Sequence, residues 1–420
     1  MNLTRPEVIA LRSSDPLSIP SLARDLAQRY LIWDAYVGGQ RRVDAHPLVL
    51  PAPMHEAAVR AAEGVTAAVG RVAAIAHEDQ TERLVYRLHD DVHHLARASH
   101  EAGDVASLVR VDLLLDDDGE WQACEINADC PGGHNEALGL PRLARAAGFM
   151  EGRNPTVVTS ALAERLATLA GGGAVGLIYA TAYAEDLQVC AIVQRTLAGM
   201  GVRAVLAPPT APRLVRGELC VAGEPVRVLY RYFPTEYMRG QKNVQAIAKA
   251  VACGRVRTLT SFAHIYAQSK LAFARAWRHA PSLGPDDREA VMRHTPETFD
   301  VTHVSREELL ANRTQWVLKR AYGRVGDEVF VGPLLPPDAW PRLVDGVLAL
   351  QKSGESWIAQ RFVRQSPIDT PWGKRYVTLG AYVLDGRFVG YFARITPESH
   401  VSHDALCVPV FNLPRSREAS

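Results

Sequence analysis

Apolar residues recur at helical spacing from Met54 to Ala76, and again from Gln80 to Ala102 through Leu84, Leu88, Val92 and Leu95. That period belongs to one face of an α-helix, so the first hundred residues read as helical, with Pro47, Pro51 and Pro53 marking a connection ahead of the pair. At Ser107 the period changes. Ser107 to Leu115 alternates, Asp116 to Gly119 is a polar turn, and Glu120 to Asn127 is extended, which predicts a β-hairpin ended by Pro131, Gly132 and Gly133.

Residues 174 to 207 predict a βαβ unit: the strand Val175 to Tyr179, an amphipathic helix Glu185 to Met200 stopped by Gly201, and the strand Val202 to Leu206. Val226 to Tyr232 adds a strand to what should be a parallel sheet. The last third alternates: strands at Trp316–Lys319 and Glu328–Val331, a helix around Ala339–Gln351, and a strand at Trp357–Val363. A second hairpin, Tyr376–Leu384 with Arg387–Arg394, turns on Asp385-Gly386, a strong hairpin signal.

Composition changes this picture little. At 420 residues, 47% hydrophobic and 22% charged, the chain is an ordinary folded protein of two or three lobes. A formal net charge of +1 gives no reason to expect nucleic acid or an anionic membrane as partner. No secretory signal is visible in the first thirty residues, and no stretch approaches the roughly 20 apolar residues of a membrane span. The six cysteines are scattered without CxxC pairs, as expected of reduced thiols in a cytoplasmic protein. Cys130 lies beside the charged hairpin, but nothing marks a paired base for it.

Chemistry enters with that hairpin. Arg110 and Asp112 are two residues apart and share a face, as do Glu125 and Asn127. If Asp118-Gly119 is a two-residue turn, Asp117 pairs with Glu120, Asp112 faces Glu125, and Arg110 faces Asn127. Val109, Val111, Leu113 and Leu115 then fill the reverse face. Opposed carboxylates repel, and a divalent cation would relieve them; two carboxylates and an amide are hard oxygen ligands suited to Mg²⁺. A solvated hairpin neutralised by Arg110 is the alternative.

Further along, Lys270 precedes a helix-like segment, and Lys319 ends an apolar strand. A flexible Gly323-Arg324-Val325-Gly326 loop able to cover phosphates follows, and then the segment 357–363 carries Gln360 as a polar handle.

Glu125-Ile126-Asn127 followed by Pro131-Gly132, after Arg110-x-Asp112, resembles the metal-binding end of ATP-grasp ligases. The hairpin precedes the lysines, as in the circularly permuted branch. The matching stretches, Arg110–Glu136, Val228–Glu236 and about Thr258–Val410, resemble glutathionylspermidine synthase-like ligases.

The resemblance implies an α/β (α+β) chain with a permuted ATP-grasp fold. A helical N-terminal region would span 1–105, the metal-binding hairpin 106–150, a small pre-ATP-grasp α/β lobe 151–257, the lysine and flap lobes 258–413, and a loose tail 414–420. It further implies that Asp112, Glu125 and Asn127 bind Mg²⁺, and that Lys270, Lys319, Gly323, Gly326 and Gln360 bind ATP. Arg110 and Arg394 would act at the reacting groups. The expected substrates are a small-molecule or peptide carboxylate and an amine, joined as an amide through an acyl phosphate with release of ADP and phosphate. A homodimer is left open.

His134, Asn135 and Glu136 either meet the carboxylate substrate or cap the next helix. Val325 replaces an acid common in the family's flap, and the loop after Asn127 is not Thr/Ser-rich, which unsettles glutathione and spermidine as substrates. An ATP-grasp kinase or a non-catalytic nucleotide-binding protein would use the same residues. His89 and His93 have zinc-helix spacing but no evident third ligand, so a structural or surface pair is expected. Gly171-Gly172-Gly173 precedes a strand and lacks the P-loop Lys-Ser/Thr, so it reads as a linker.

Overall fold

The computed structural model describes residues 3–11, 17, 20–323, 328–400 and 405–415. Its centre is a five-stranded antiparallel sheet. The charged hairpin, Leu108–Leu115 with Trp121–Asn127, adds to the second hairpin, Tyr376–Leu384 with Arg387–Thr396, and Leu406–Val408 closes the edge. The strand carrying Arg110 and Asp112 is therefore internal, with a partner on each side. Val109, Val111, Leu113 and Leu115 fill the reverse face as the alternation predicts. They pack with the 27-residue helix Ala52–Glu78, whose buried alanines and valines let it lie close to the sheet.

The hairpin register at the charged positions is the expected one: Arg110 pairs with Asn127 and Asp112 with Glu125. The route to it differs. Leu115 pairs with Trp121, so the turn is a longer loop in which the Asp116 carboxylate accepts from the backbone N–H groups of Asp118 and Glu120. A one-residue shift between Asp112 and Leu113 leaves Cys124 as the extra residue. This β-bulge restores the register lost at the turn. Two deviations cancel.

A four-stranded sheet, in the order Thr298–Asp300, Trp357–Arg361, Trp316–Arg320, Val329–Val331, lies across a cleft from the central sheet. Trp316, Trp340 and Trp357 are buried beneath it. The βαβ unit is present as Ala174–Tyr179, Ala184–Gly199 and Ala204–Ala207. Glu224–Tyr232 and Arg257–Leu259 pair parallel with it, but Arg213–Val215 and Glu218–Val221 join antiparallel, so the sheet is mixed rather than purely parallel. The glycine triplet is a short turn between the helix Val158–Ala170 and the first of these strands.

The first fifty residues are less helical than expected. Among the described residues there, one helix, Pro20–Arg29, is joined by short strands, and Leu48–Leu50 pairs with Val410–Asn412. Three consecutive apolar residues ahead of a proline suit a fully buried strand as well as a helix turn. Among the described residues no helix is long and apolar enough to cross a membrane.

Candidate active site

The central sheet presents its charges to the cleft. Arg110 grips Asp112 with two nitrogens, Nε at 2.6 Å and Nη2 at 3.0 Å, and Arg394 reaches the same carboxylate at 2.7 Å. Desolvation pushes the Asp112 carboxyl up, but the charges and hydrogen bonds of Arg110 and Arg394 outweigh it and hold it below its ordinary value. Arg110 also donates to the Gly132 carbonyl (3.0 Å), which accepts from the Tyr382 hydroxyl as well. Gly380 stands opposite Asp112 because a side chain there would collide with Arg110: an added Cβ would sit 2.7 Å from its Cδ.

Lysines arrive from the other side. Lys270, just ahead of the helix Leu271–His279, meets Glu125 Oε1 at 2.9 Å and the Gly323 carbonyl at 2.7 Å. Lys319, on the strand Trp316–Arg320, donates to Gln360 Oε1 (2.6 Å) and to the Cys124 carbonyl (3.0 Å). Gln360 is fixed in turn by Thr298 Oγ1 at 3.0 Å. Among the described residues Lys319 has no carboxylate within ion-pair distance, and burial lowers its ammonium pKa. A buried cation held only by neutral oxygens leaves room for an arriving anion.

The repulsion between Asp112 and Glu125 is thus already offset by Arg110, Arg394 and Lys270, without a metal. The donor set itself fits Mg²⁺. Two carboxylates stand opposite each other, and the Asn127 side chain is beside them, its amide nitrogen donating to Asp112 at 3.5 Å. No cluster of three His, Cys, Asp or Glu side chains with metal-holding geometry occurs among the described residues, so an ion here would depend on the amide, water and phosphate oxygens.

The strand Trp357–Arg361 is paired on both sides. Gln360 on it holds Lys319 in place. Phe362, Val363 and Gln365, where the chain passes between the two sheets, line the cleft beyond it. His134 and Asn135 face inward: His134 Nε2 lies 2.9 Å from the Pro131 carbonyl, and Asn135 donates to the carbonyls of Tyr30 and Gln188. Neither caps the helix His134–Ala146, whose N-cap is Gly133 at φ 88°. Burial, with Asp34 and Glu185 nearby, pushes Glu136 up to about 7. Gly326 lies outside the described residues, with Arg324 and Val325.

Sequence reasoning missed Cys124, Thr378, Thr396 and His400, all on the cleft wall. Thr378 pairs with Arg394 and could have been found by extending the register of the second hairpin. Cys124 needed the bulge. Burial pushes its thiol up to about 11, so it is un-ionised near neutral pH. His89 and His93 serve structure: His89 accepts from the Asp91 N–H at a helix start, and His93 Nδ1 lies 2.9 Å from the Tyr266 hydroxyl.

A family model described as glutathionylspermidine synthase preATP-grasp matches residues 45–410. The chain belongs to that family. Membership supports an ATP-dependent ligase in general terms. Among solved structures, a glutathione synthetase like-effector (GSS30) from Globodera pallida, in apo form, is similar at TM-score 0.59 and 10% identity, over 97% of this chain and 100% of that one. That likeness is one of fold. A putative gamma-glutamylcysteine synthetase from Methylobacillus flagellatus KT aligns at TM-score 0.43 and 14% identity, over 77% of this chain and 83% of that one. No curated protein sequence matches.

Proposed function

We propose that the chain is an ADP-forming carboxylate–amine ligase whose ATP lies in the cleft between the two antiparallel sheets. One observation carries the reading: the buried Lys270 meets Glu125, and the buried Lys319 meets the Cys124 carbonyl beside it, across from Asp112 and its two arginines. The hairpin ahead of the lysines in the chain is read as a circular permutation of the ATP-grasp order.

A carboxylate does not react with an amine unaided, because its oxygen is a poor leaving group. In the proposed reaction a carboxylate oxygen takes the γ-phosphoryl group and ADP leaves. The amine nitrogen then attacks the acyl carbon, the carbon–oxygen bond to phosphate breaks, and the nitrogen loses a proton. Phosphoryl transfer of this kind is governed by position and charge. Lys270 and Lys319 bind the phosphates, and the Gly323 end of the flap contributes backbone. Arg110 and Arg394, both within reach of Asp112, orient the carboxylate and the phosphoryl oxygens. Asp112, Glu125 and Asn127 would hold Mg²⁺, which supplies charge neutralisation at the phosphates. His134, Asn135 and Glu136, in the first turn of the helix His134–Ala146, are the candidates for substrate contact.

The test is release of ADP and phosphate from Mg-ATP over pooled amino acids, peptides and polyamines, with products identified by mass spectrometry. ADP release that requires both a carboxylate and an amine is expected. Release without an amine would make the protein a kinase, and AMP with pyrophosphate would contradict the reading.

A further inference from the structure

A larger cavity, about 400 Å³, lies away from the cleft and shares none of its lining residues. It opens where four helices meet: Pro20–Arg29, His134–Ala146, Val158–Ala170 and Ala184–Gly199. Arg29, Arg142 and Arg195 come to it from three of them, and no carboxylate is among its lining residues. Among the described residues none of the three guanidiniums has an acidic partner. For a chain with a formal net charge of +1, three unopposed arginines around one opening are a local excess.

Two of the arginines are held in place by neutral groups. Arg195 donates to the carbonyls of Gln28 (3.2 Å) and Arg29 (2.8 Å), and Arg142 lies over the Tyr30 ring at 5.6 Å. The fourth helix points its start at the same space. Val157 is its N-cap and provides no side-chain cap, and its first turn holds no acid. First-turn N–H groups without a cap favour an anion. Independently, Thr159 lines the cavity while only 3% exposed, and its hydroxyl has no hydrogen-bond partner. A buried hydroxyl left unpaired marks the place of an absent partner. Tyr30 and Ile192 give the cavity apolar walls.

We infer that this cavity binds a small molecule carrying a phosphate monoester on an apolar or aromatic body. A phosphate dianion has enough acceptor oxygens to meet guanidiniums, a hydroxyl and helix N–H groups from several directions at once; a carboxylate has two.

The probe is phenyl phosphate, titrated calorimetrically into the full chain at constant ionic strength, with inorganic phosphate and benzoate as parallel arms. One saturable site is expected, weakened at least about tenfold in R142Q/R195Q, because each change removes a charge-assisted contact. Thr159→Val should also weaken binding. Tighter binding of phenyl phosphate than of inorganic phosphate would confirm use of the apolar walls. Absence of saturable binding, equal affinity in R142Q/R195Q, or equal binding of benzoate would overturn the assignment. Circular dichroism reports whether the double variant folds; if it does not, Thr159→Val decides.

Discussion

Two buried arginine–carboxylate pairs lie within a few residues of the same hairpin, and they do different things. Arg231 and Asp129 are each 1% exposed at the side chain and meet at 2.6 Å. Thr235 donates to Asp129 from its backbone N–H (2.7 Å) and its hydroxyl (2.8 Å), while Arg231 also donates to the carbonyls of Phe233 and Thr260. This network is sealed. It fastens the loop after the hairpin to the segment 231–235. Arg110, Asp112 and Arg394 make contacts of the same kind and length, but Asp112 and Arg394 line an open cleft, where Arg394 is 18% and Glu125 25% exposed at the side chain. Neither burial nor ion pairing marks the site. Access to a cleft that also holds Lys319 from another sheet does.

The sharpest break of that comparison is Arg231→Ala. Removing one partner of a buried pair leaves the other charge uncompensated, so about 3–5 kcal/mol of stability should be lost. Urea unfolding measures it, and a shift under about 1 kcal/mol would place the pair among weak surface bridges. Glu125→Gln should do the opposite. Its urea midpoint stays near wild type, while ATP turnover falls on the order of 10²-fold or more, as for loss of one charge contact to a transferring phosphoryl group. Lys319→Ala should match it in turnover.

The geometry of the charged hairpin in the candidate site was legible because its logic is local. Alternation puts Arg110 with Asp112 and Glu125 with Asn127 wherever the strands lie, and the turn–bulge cancellation preserved their pairing. Asp385-Gly386 fixed the second hairpin, whose strand then covers the first. What was illegible depends on distant contacts. That Gln360 serves Lys319, that Asn135 holds Tyr30 and Gln188, and that Leu48–Leu50 pairs with 410–412 cannot be read from neighbours in sequence. Asp129 and Arg231 were both inside stretches that resembled the family, but only the fold joins them.

A smaller effect concerns pH. Burial raises Glu136 from 4.5 to about 7, so the folded chain binds the extra proton between those values. Its contribution to stability is present below the unfolded value and is lost as pH rises through about 7. Glu136→Gln should remove that part of the decline in thermal midpoint across the window; an unchanged slope would mean the group is not buried as described. The smallest change is expected from Cys124→Ala. With its thiol un-ionised, turnover should stay within about twofold of wild type. A large loss would give the cleft a nucleophile that the present reaction does not use.

The central claim is that the cleft passes a phosphoryl group to a carboxylate. Once the pooled assay yields a carboxylate that supports turnover, the direct measurement is transfer of ¹⁸O from that carboxylate, read by mass spectrometry of the products. One ¹⁸O in the released phosphate is predicted, and Glu125→Gln should suppress it together with ADP. Label in AMP, or unlabelled phosphate alongside amide product, would contradict the account.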